Sequence, residues 1–577
     1  MTKTRERHKG WLRRAAPGFD AVATYQKDWF GKDIIAGVVL TTLLVPQGMA
    51  YAELAGLPPI TGLYTSILCL LAYAVFGPSR VLVLGPDSAL GPMIAATVLP
   101  LVASDGDPQK AIALASMLAL MVGAIMVLAS VAKLGFIADL ISKPTMIGYM
   151  NGLAITILVG QLPKLFGFKI ESENFIGDLV GFVEGVANGE TVVAAAAVGI
   201  GGIVLILVLQ RWLPKVPAVL VMVVAAIAAT AVFDLAAKGV SLVGELPRGF
   251  PPFTIPQVDF ADLGLMFAGA LGIALVSLTD TISTSTAFAA RTGQEIRGNQ
   301  EMIGIGAANL AAGLFQGFPV STSGSRTAVA ERSGSKSQLT GVTGAVLILL
   351  MLVFLPGLFR NLPQPALAAV VMTASISLAD IPGTVRLLRQ RRTEFYLCMA
   401  AFLGVAFLGV LPGIGIAVGL SILNIFRRAW WPYETVIGRV PGYDGFHDIN
   451  VHPDAKHLPG LVIYRWDAPL FFANVRPFRD NIRHLAHTDP KPRWIVIAAE
   501  PITDVDTTAA DVLLDLDVEL NEQGISLVFA ELKHRTREKI ERYGLTREIE
   551  PEHFYPTTEA AVAAYMAQTG AKWSAEE

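Results

Sequence analysis

Long runs of apolar residues, separated by short polar links, fill about the first three quarters of the chain. The clearest run, 111–132, has no charge and is flanked by Lys110 and Lys133. As a helix it is long enough to cross about 30 Å of hydrocarbon. Comparable runs predict about fourteen membrane segments within residues 33–432, two of them interrupted. The uninterrupted segments are 34–54, 60–76, 111–132, 146–162, 191–209, 216–233, 263–290, 302–315, 339–359, 365–379 and a pair within 395–426.

Proline interrupts two of these runs, where it removes a helical hydrogen bond. Pro46 lies in the middle of the first run, so we expect a kink or an unwound turn there. Pro412 and Gly413 lie inside the run 395–426, so we expect them to turn it into two short spans. The segment 166–190 is too charged for a clear crossing and is expected at the membrane interface.

The two interrupted segments, 83–92 and 317–326, share one pattern. Each has a short apolar lead, a break containing Gly and Pro, and then a Ser or Thr that starts a short helix. Irregular backbone at membrane depth occurs only where protein or a water-filled cavity satisfies its polar groups. Two such segments in corresponding halves point to the midplane binding site of a secondary transporter. The alternative is a pair of re-entrant segments that serve packing alone.

These breaks also indicate the charge of the ligand. The start of a helix has free N–H groups and a partial positive charge, so it attracts anions. We expect Ser88 and Ser323 to begin two short helices that face each other, with a small anion between them. Arg326 adds attraction for that anion, or it neutralises Asp87 or Asp280 instead. We interpret Asp87 as a helix cap.

Asp280 is the only charged residue in the run 263–290. An ionisable group inside a membrane segment is costly and marks an ion or proton pathway. Thr284 lies one turn further on the same helical face. A carboxylate beside hydroxyl groups can hold Na⁺ or take up a proton, so the coupling ion is H⁺ or Na⁺. A purely structural pairing of Asp280, for example with Arg326, is the alternative.

Gln47 and Tyr51 in the first span are four residues apart and share one helical face. We expect both to point toward the protein interior. Their polar groups contact either the ligand or a neighbouring helix, since side chains of this kind often bond across membrane helices.

Composition supports a membrane protein followed by a water-soluble domain. Of the 577 residues, 53% are hydrophobic and only 16% are charged. The last 144 residues carry 15 Lys/Arg and 24 Asp/Glu, a much higher density of charge. Within 433–577, strand-like runs at 461–466, 494–499 and 525–529 alternate with helical patterns at 507–523, 533–543 and 558–568. This alternation predicts a small α/β domain, with Asp506 or Thr507 capping its helix at 507.

The distribution of basic residues predicts orientation. Residues 1–32 form a basic N-terminal arm, and the links at 386–392 and 427–428 are also basic. Since Lys and Arg in short loops remain inside, we expect both termini in the cytoplasm and the protein in the cell membrane, surrounded by lipid. The two cysteines, Cys69 and Cys398, lie in apolar runs and exclude a disulfide framework.

Other functional classes find less support. The chain has no phosphate-binding Gly-Lys-Ser/Thr loop, and its histidines lack metal-ligand spacing, so we expect neither an enzyme nor a bound cofactor. Nothing indicates nucleic-acid binding. A membrane-anchored regulatory scaffold is the competing class, but an anchor has no need for Asp280, Arg326 and two polar breaks within lipid.

Several motifs in order resemble the sulfate permease (SulP) family of anion transporters. They are LPPITGLY at 57–64, GPDS at 85–88, GNQE at 298–301 and GFPVSTSGSR at 317–326. The tail resembles that family's STAS domain and includes PLFFAN at 469–474.

The resemblance implies two inverted repeats of seven segments, arranged as core and gate domains. It also implies a homodimer, an elevator-like movement of the core, and substrate between the third and tenth segments. It places the substrate site on Gln47, Tyr51, Ser88, Ala89, Thr322, Ser323 and Gly324, to which we add Arg326.

It places the coupling carboxylate on Asp280, for which H⁺ symport of sulfate or a similar anion is the first expectation. Many relatives have Glu at this position, whereas Asp with Thr284 is more similar to sodium-dependent bicarbonate members. Na⁺-coupled bicarbonate symport and uncoupled anion exchange therefore remain alternatives.

For the tail, the resemblance implies possible protein partners in the cytoplasm. Soluble STAS relatives carry a phosphorylatable Ser at the position of Thr507. Because Thr replaces Ser here, we favour a helix-capping role for this segment over phosphoregulation.

Overall fold

The structure is a computed structural model that describes residues 17–18, 24–102, 107–170, 175–213, 216–292, 297–545, 549 and 551–573. The chain divides into two compact units, Met1–Ile422 and Leu423–Glu577. In the described part of the first unit and the start of the second, every predicted membrane segment corresponds to one helix. These helices are α1 (Phe30–Leu54), α2 (Pro59–Phe76), α3 (Gly91–Val102), α4 (Pro108–Val131), α5 (Lys143–Phe166), α6 (Val193–Trp212), α7 (Ala218–Phe233), α8 (Phe260–Thr292), α9 (Gly298–Leu314), α10 (Gly324–Arg332), α11 (Leu339–Phe354), α12 (Gln364–Leu378), α13 (Arg392–Leu408) and α14 (Val410–Trp430).

Length and apolar composition agree with membrane crossing. Among the described residues, eight helices are long and apolar enough to span a bilayer, with α12 counted together with the short helix Ile381–Gln390 that follows it. Three shorter helices, α3, α7 and α11, are also apolar. The segment expected at the interface contains a helix, Phe175–Ala187, whose apolar side chains are largely exposed.

The two halves of the membrane unit pack in the same pattern. The contacts α1–α11, α2–α11 and α5–α13 recur as α8–α4, α9–α4 and α12–α6 when each helix is advanced by seven positions around the set of fourteen. The third and tenth segments contribute two short antiparallel strands, β1 (Leu84–Gly85) and β2 (Ser321–Thr322), which pair with each other. The membrane unit is therefore built from two repeats of seven segments.

Of the two alternatives expected at Pro46, the unwound turn was wrong, because α1 continues as a helix through that residue. Around that residue α1 is almost fully buried, and it packs closely on α2. A Cβ atom on Gly62 would lie 1.9 Å from the carbonyl oxygen of Gly48, so the two backbones are nearly in contact. This packing offsets the hydrogen bond that the proline removes.

The break between the last two helices was predicted a few residues too late. It falls at Gly409, which has a φ of +98°, a conformation that glycine adopts without strain. Pro412 lies in the first turn of α14, where proline is favoured because a missing N–H leaves no hydrogen bond unmade.

The second unit contains the strands β3 (Glu434–Arg439), β4 (Phe446–Asp448), β5 (Leu461–Trp466), β6 (Trp494–Ala498), β7 (Ser526–Ala530) and β8 (Phe554–Tyr555), and the helices α15 (Val475–Ala486), α16 (Thr507–Glu522), α17 (His534–Arg542) and α18 (Thr558–Thr569). The strands form one six-stranded sheet in the order β4-β3-β5-β6-β7-β8. Strands β5 to β8 are parallel, whereas β3 pairs antiparallel with β4 and with β5. This confirms a small α/β domain and adds α15, β3, β4 and β8, which the sequence pattern did not predict.

Candidate functional site

The two interrupted segments lie side by side. Leu84 is opposite Thr322 in the β1–β2 pair, and Gly85 is opposite Ser321. The backbone N–H of Ser323 extends the pairing by donating to the carbonyl of Val83 at 3.0 Å. The backbone at each break thus satisfies the polar groups of the other, as irregular structure at membrane depth requires.

Helix α10 begins where the sequence predicts it. Ser323 is its N-cap, and the Ser323 hydroxyl accepts from the N–H of Arg326 at 3.5 Å. The hydroxyls of Ser323 and Ser325 lie 3.1 Å apart. Gly324 leaves open space at the start of the helix, since a Cβ there would find its nearest neighbour, the Thr284 hydroxyl, at 3.8 Å.

Helix α3 begins slightly later than predicted, at Gly91 instead of Ser88. A turn precedes it, in which the carboxylate of Asp87 accepts from the N–H of Ala89 at 2.9 Å and its carbonyl accepts from Gly91 at 3.2 Å. Asp87 therefore caps this turn, as its residue type suggests. Ser88 and Ala89 are both buried.

Arg326 is buried between the two segments, with a relative exposure of 1%. Its Nη2 donates to the carbonyl of Pro86 at 2.6 Å and lies 3.9 Å from the Asp87 carboxylate. Its Nε and Nη1 have no hydrogen-bond partner within the described chain. Buried donors without partners are uncommon and costly, and a guanidinium with free N–H groups is well suited to an oxyanion.

Gly85 makes room for this arginine. A Cβ atom at that position would approach Nη1 of Arg326 to 2.6 Å. The glycine of the GPDS motif thus permits the guanidinium to lie against β1.

Asp280 lies on the face of α8 that contacts β2, and Thr284, one helical turn on, lies near Gly324 at the start of α10. The Ser321 hydroxyl donates to the Asp280 carboxylate at 3.4 Å, and the Thr322 hydroxyl donates to Thr281 at 3.2 Å.

Asp280 has no ion pair with Arg326 among the described residues, because Arg326 forms its ion pair with Asp87. The carboxylate therefore remains available, beside hydroxyl groups, for a proton or a cation.

The two predicted residues of α1 differ in their surroundings. Tyr51 is buried, with a relative exposure of 5%. Gln47, one turn earlier, is half-buried. Because α1 contacts α3, the structure brings this face of α1 to the first interrupted segment.

Sequence reasoning missed the residues that hold the second interrupted segment in place. Asn309 of α9 accepts from the N–H of Val320 at 3.0 Å and donates to the carbonyl of the same residue at 3.3 Å. Ser277 of α8 also donates to that carbonyl, at 3.1 Å. A lone Asn inside an apolar helix was the available signal, but its partner is visible only in the fold.

Further hydroxyl groups fix the backbone around both breaks. Thr65 accepts from the N–H of Phe318 at 3.1 Å, and Ser116 donates to the carbonyl of Gly317 at 3.0 Å. Thr327 of α10 accepts from the N–H of Val83 at 3.1 Å. These bonds connect α2, α4 and α10 to the segments that form the site.

Glu301, the last residue of the GNQE motif, is a second buried carboxylate, with a relative exposure of 1%. It accepts from the hydroxyl of Tyr73 at 2.7 Å and from the hydroxyl of Ser79. Ser79 lies just ahead of the first interrupted segment, so Glu301 ties the approach to that segment to α9.

In the C-terminal unit, Asp506 is the N-cap of α16, with its carboxylate accepting from Ala509 at 2.7 Å. Thr507 is the exposed first residue of that helix. Nearby, the Lys539 ammonium donates to Asp504 at 2.6 Å and holds the pKa of that carboxyl below its usual value. The expected capping role thus belongs to Asp506.

Comparison with known proteins decides the family. The sulfate permease family matches residues 30–401, and the STAS domain matches residues 452–561. The chain belongs to the sulfate permease family. This permease is 41% identical over 559 residues to a probable sulfate transporter of Mycobacterium tuberculosis, covering 96% of this chain and 98% of that protein. It is 30% identical to the chloroplastic sulfate transporter 4.1 of Arabidopsis thaliana, covering 96% of this chain and 82% of that protein.

Solved structures show the same fold. The murine anion transporter Slc26a9 aligns over 97% of this permease and 95% of its own chain, with a TM-score of 0.89 at 21% identity. The transmembrane domain of the cyanobacterial bicarbonate transporter BicA aligns over 68% of this permease and 99% of its own chain, with a TM-score of 0.59 at 22% identity. The membrane unit and the STAS domain predicted from the sequence are thereby confirmed.

Proposed function

We propose that this permease is a secondary active transporter of sulfate or a similar small inorganic or carboxylate anion. The observation that carries the proposal is Arg326, a buried guanidinium beside two interrupted membrane segments, whose Nε and Nη1 have no hydrogen-bond partner among the described residues. An oxyanion placed there receives charge-assisted hydrogen bonds, which are stronger than neutral ones. The sulfate transporters named among its relatives support sulfate as the first substrate to test.

The residues around Arg326 complete this anion site. Ser323 and Gly324 open α10, and Ser88 and Ala89 lie in the turn before α3. Helix starts attract anions through free N–H groups and the helix dipole. In this proposal the site is lined on its other sides by Tyr51 and Gln47 of α1 and by Thr322 of β2.

Transport is driven by a cation that binds at Asp280, with H⁺ symport as the leading form. An intramembrane carboxylate is costly and marks an ion pathway; the Ser321 hydroxyl lies 3.4 Å from it, and Thr284 is one turn further on the same helical face. Na⁺ at Asp280 and Thr284, as in a Na⁺-coupled bicarbonate symporter, is the second candidate, because carboxylate and hydroxyl oxygens also suit that ion. Uncoupled anion exchange is the third, and it requires no ion at Asp280.

We further propose an elevator-like movement within a homodimer in the cell membrane, with both termini in the cytoplasm. Helices α1 to α4 pack with α8 to α11 around the interrupted segments, whereas α5, α6 and α7 pack with α12 and α13. Two packing groups of this kind can slide as bodies while the anion stays with the first. Contacts of α1 with α7 and α12 lie along the boundary.

The proposal is tested with the purified protein in liposomes. Uptake of labelled sulfate, bicarbonate and fumarate is measured under an imposed gradient of H⁺ or of Na⁺. We expect sulfate to accumulate above its external concentration when an inward H⁺ gradient is present. If none of the three accumulates under either gradient, coupled transport is contradicted. Liposomes preloaded with unlabelled anion then separate exchange, which still takes up label, from a scaffold, which does not.

A further inference from the structure

The charge of Arg326 is balanced by a group that leaves its hydrogen-bond donors free. Its Nη2 donates to the carbonyl of Pro86, and the Asp87 carboxylate lies 3.9 Å away, beyond hydrogen-bonding distance. Nε and Nη1 remain unpartnered within the described residues. Asp87 thus compensates the positive charge while the N–H groups remain available to an anion.

The position of Asp87 is fixed by its own contacts. One carboxylate oxygen accepts from the N–H of Ala89 at 2.9 Å, and the other faces Arg326. The Asp87 side chain is 13% exposed, so water screens its charge weakly. An anion bound at Arg326 therefore also feels the repulsion of this carboxylate.

We propose that Asp87 sets the preference of the site between divalent and monovalent anions. The inference rests on the proposed function, since it assumes that Arg326 binds the transported anion. The interaction energy between a fixed charge and a bound ion is proportional to the charge of that ion. Asp87 therefore weakens the binding of both kinds of anion. The increase in log Kd is twice as large for a divalent anion as for a monovalent anion of the same shape.

Such a counter-charge has a use in transport. A buried guanidinium without compensation holds a divalent anion strongly, and strong binding that is equal in all states slows release. Sites that conduct ions combine binding that is favourable enough for entry with release that is fast enough for turnover. Asp87 provides this balance without occupying the donors of Arg326.

The test is Asp87→Asn, which removes the charge and keeps an oxygen that can accept from Ala89. Isothermal titration of the full-length protein in detergent measures Kd for sulfate and for perchlorate, a monovalent tetrahedral anion, at constant ionic strength. A charge within about 4–6 Å of an ionisable group changes the ionisation equilibrium of that group about tenfold or more, and we take the same magnitude for Asp87 and an anion bound at Arg326. We expect Kd to fall about tenfold for perchlorate and about a hundredfold for sulfate.

Asp107→Asn is the matched control. Asp107 is exposed and caps α4 in the same way, accepting from the N–H of Gln109 at 2.9 Å. This variant removes one exposed acidic cap that forms no ion pair with Arg326 among the described residues, so neither Kd should change.

The outcomes separate the inference from the function on which it rests. If the wild type binds both anions and Asp87→Asn leaves the ratio of the two Kd values unchanged, the inference is overturned and the anion site stands. If the wild type binds neither anion, the proposed function fails first. Should Asp87→Asn not fold, Asp87→Ser is used instead, because it keeps a capping oxygen without the charge. The ratio of the Kd values for sulfate and perchlorate then tests the inference in the same way.

Discussion

Ser323 donates its backbone N–H to the carbonyl of Val83 at 3.0 Å, which joins the two interrupted segments just before β1 begins and just after β2 ends. The short β1–β2 pair would be marginal by itself. Here it is enclosed by α8, α9 and α10, whose side chains hold its backbone. The two repeats therefore form one site together. A substitution in one interrupted segment should change the conformation of the other.

The first prediction concerns the donors of Arg326. Arg326→Lys retains a positive charge but loses the planar set of N–H groups. Because charge-assisted hydrogen bonds are each worth about 1.5–3 kcal/mol, we expect KM for the transported anion to rise about tenfold or more. Liposome uptake measures it. Arg332→Lys, an exposed arginine at the end of the same helix, should leave KM unchanged, and an unchanged KM in Arg326→Lys would remove Arg326 from the site.

The second prediction concerns Asn309, which both accepts from and donates to Val320. Asn309→Asp keeps the acceptor but loses the donor, leaving the Val320 carbonyl with fewer partners and adding a buried charge. We expect a loss of about 1–3 kcal/mol in stability, seen as a lower Tm, together with weaker uptake. Asn299→Asp on the same helix is the control, because among the described residues the Asn299 side chain acts as an acceptor alone, from the N–H of Gly135 at 3.1 Å. Equal effects of the two variants would argue against the clamp on Val320.

The third prediction concerns coupling. Asp280→Asn removes the charge that we assign to H⁺ or Na⁺, so gradient-driven accumulation should be abolished while the protein remains folded. Uptake in liposomes with and without the gradient measures the first effect, and size-exclusion chromatography checks the second. Gradient-driven accumulation at the wild-type level would exclude Asp280 from the mechanism.

The fourth prediction tests the packing of the second helix group. A Cβ atom on Gly148 would lie 1.9 Å from the carbonyl oxygen of Cys398, so α5 and α13 are in backbone contact. Gly148→Ala should force these helices apart and destabilise the protein by about 1–3 kcal/mol or prevent folding. Gly201→Ala in α6, where a Cβ meets nothing within 4 Å, should be neutral or slightly stabilising, since Ala favours helices. A Tm for Gly148→Ala as high as that of the control would contradict the close packing.

The membrane segments were predictable because their length and lack of charge are dictated by the bilayer itself. Their ends were less so, as α1 shows. It begins at Phe30, and Asp33 within its first turn is fully buried. The carboxylate accepts from the N–H of Lys336 and from the hydroxyl of Ser337, each at 2.6 Å. From composition alone, the charge of Asp33 marks the end of the apolar run. In the structure, residues 336 and 337, distant in sequence, donate hydrogen bonds to its carboxylate inside the protein.

The types of residue in the candidate site could be predicted from the sequence. Which side chain forms an ion pair or hydrogen bond with which partner could not. Arg326, Asp87 and Asp280 are conspicuous in an apolar chain, but the sequence does not show which of the two carboxylates pairs with the arginine. The choice of Asp87 depends on how β1 and β2 align. Asn309 and Thr65 were overlooked for the same reason, because their partners are backbone groups that only the fold brings near.

The most direct test of the account is to locate the bound anion. Selenate is a tetrahedral divalent analogue of sulfate, and selenium is identified by its anomalous scattering in crystals of the permease grown with it. We expect a selenium peak within hydrogen-bonding distance of Arg326, between the turn at Ser88 and the start of α10 at Ser323. Full occupancy of selenate elsewhere, with Nε and Nη1 of Arg326 still unpartnered, would contradict it.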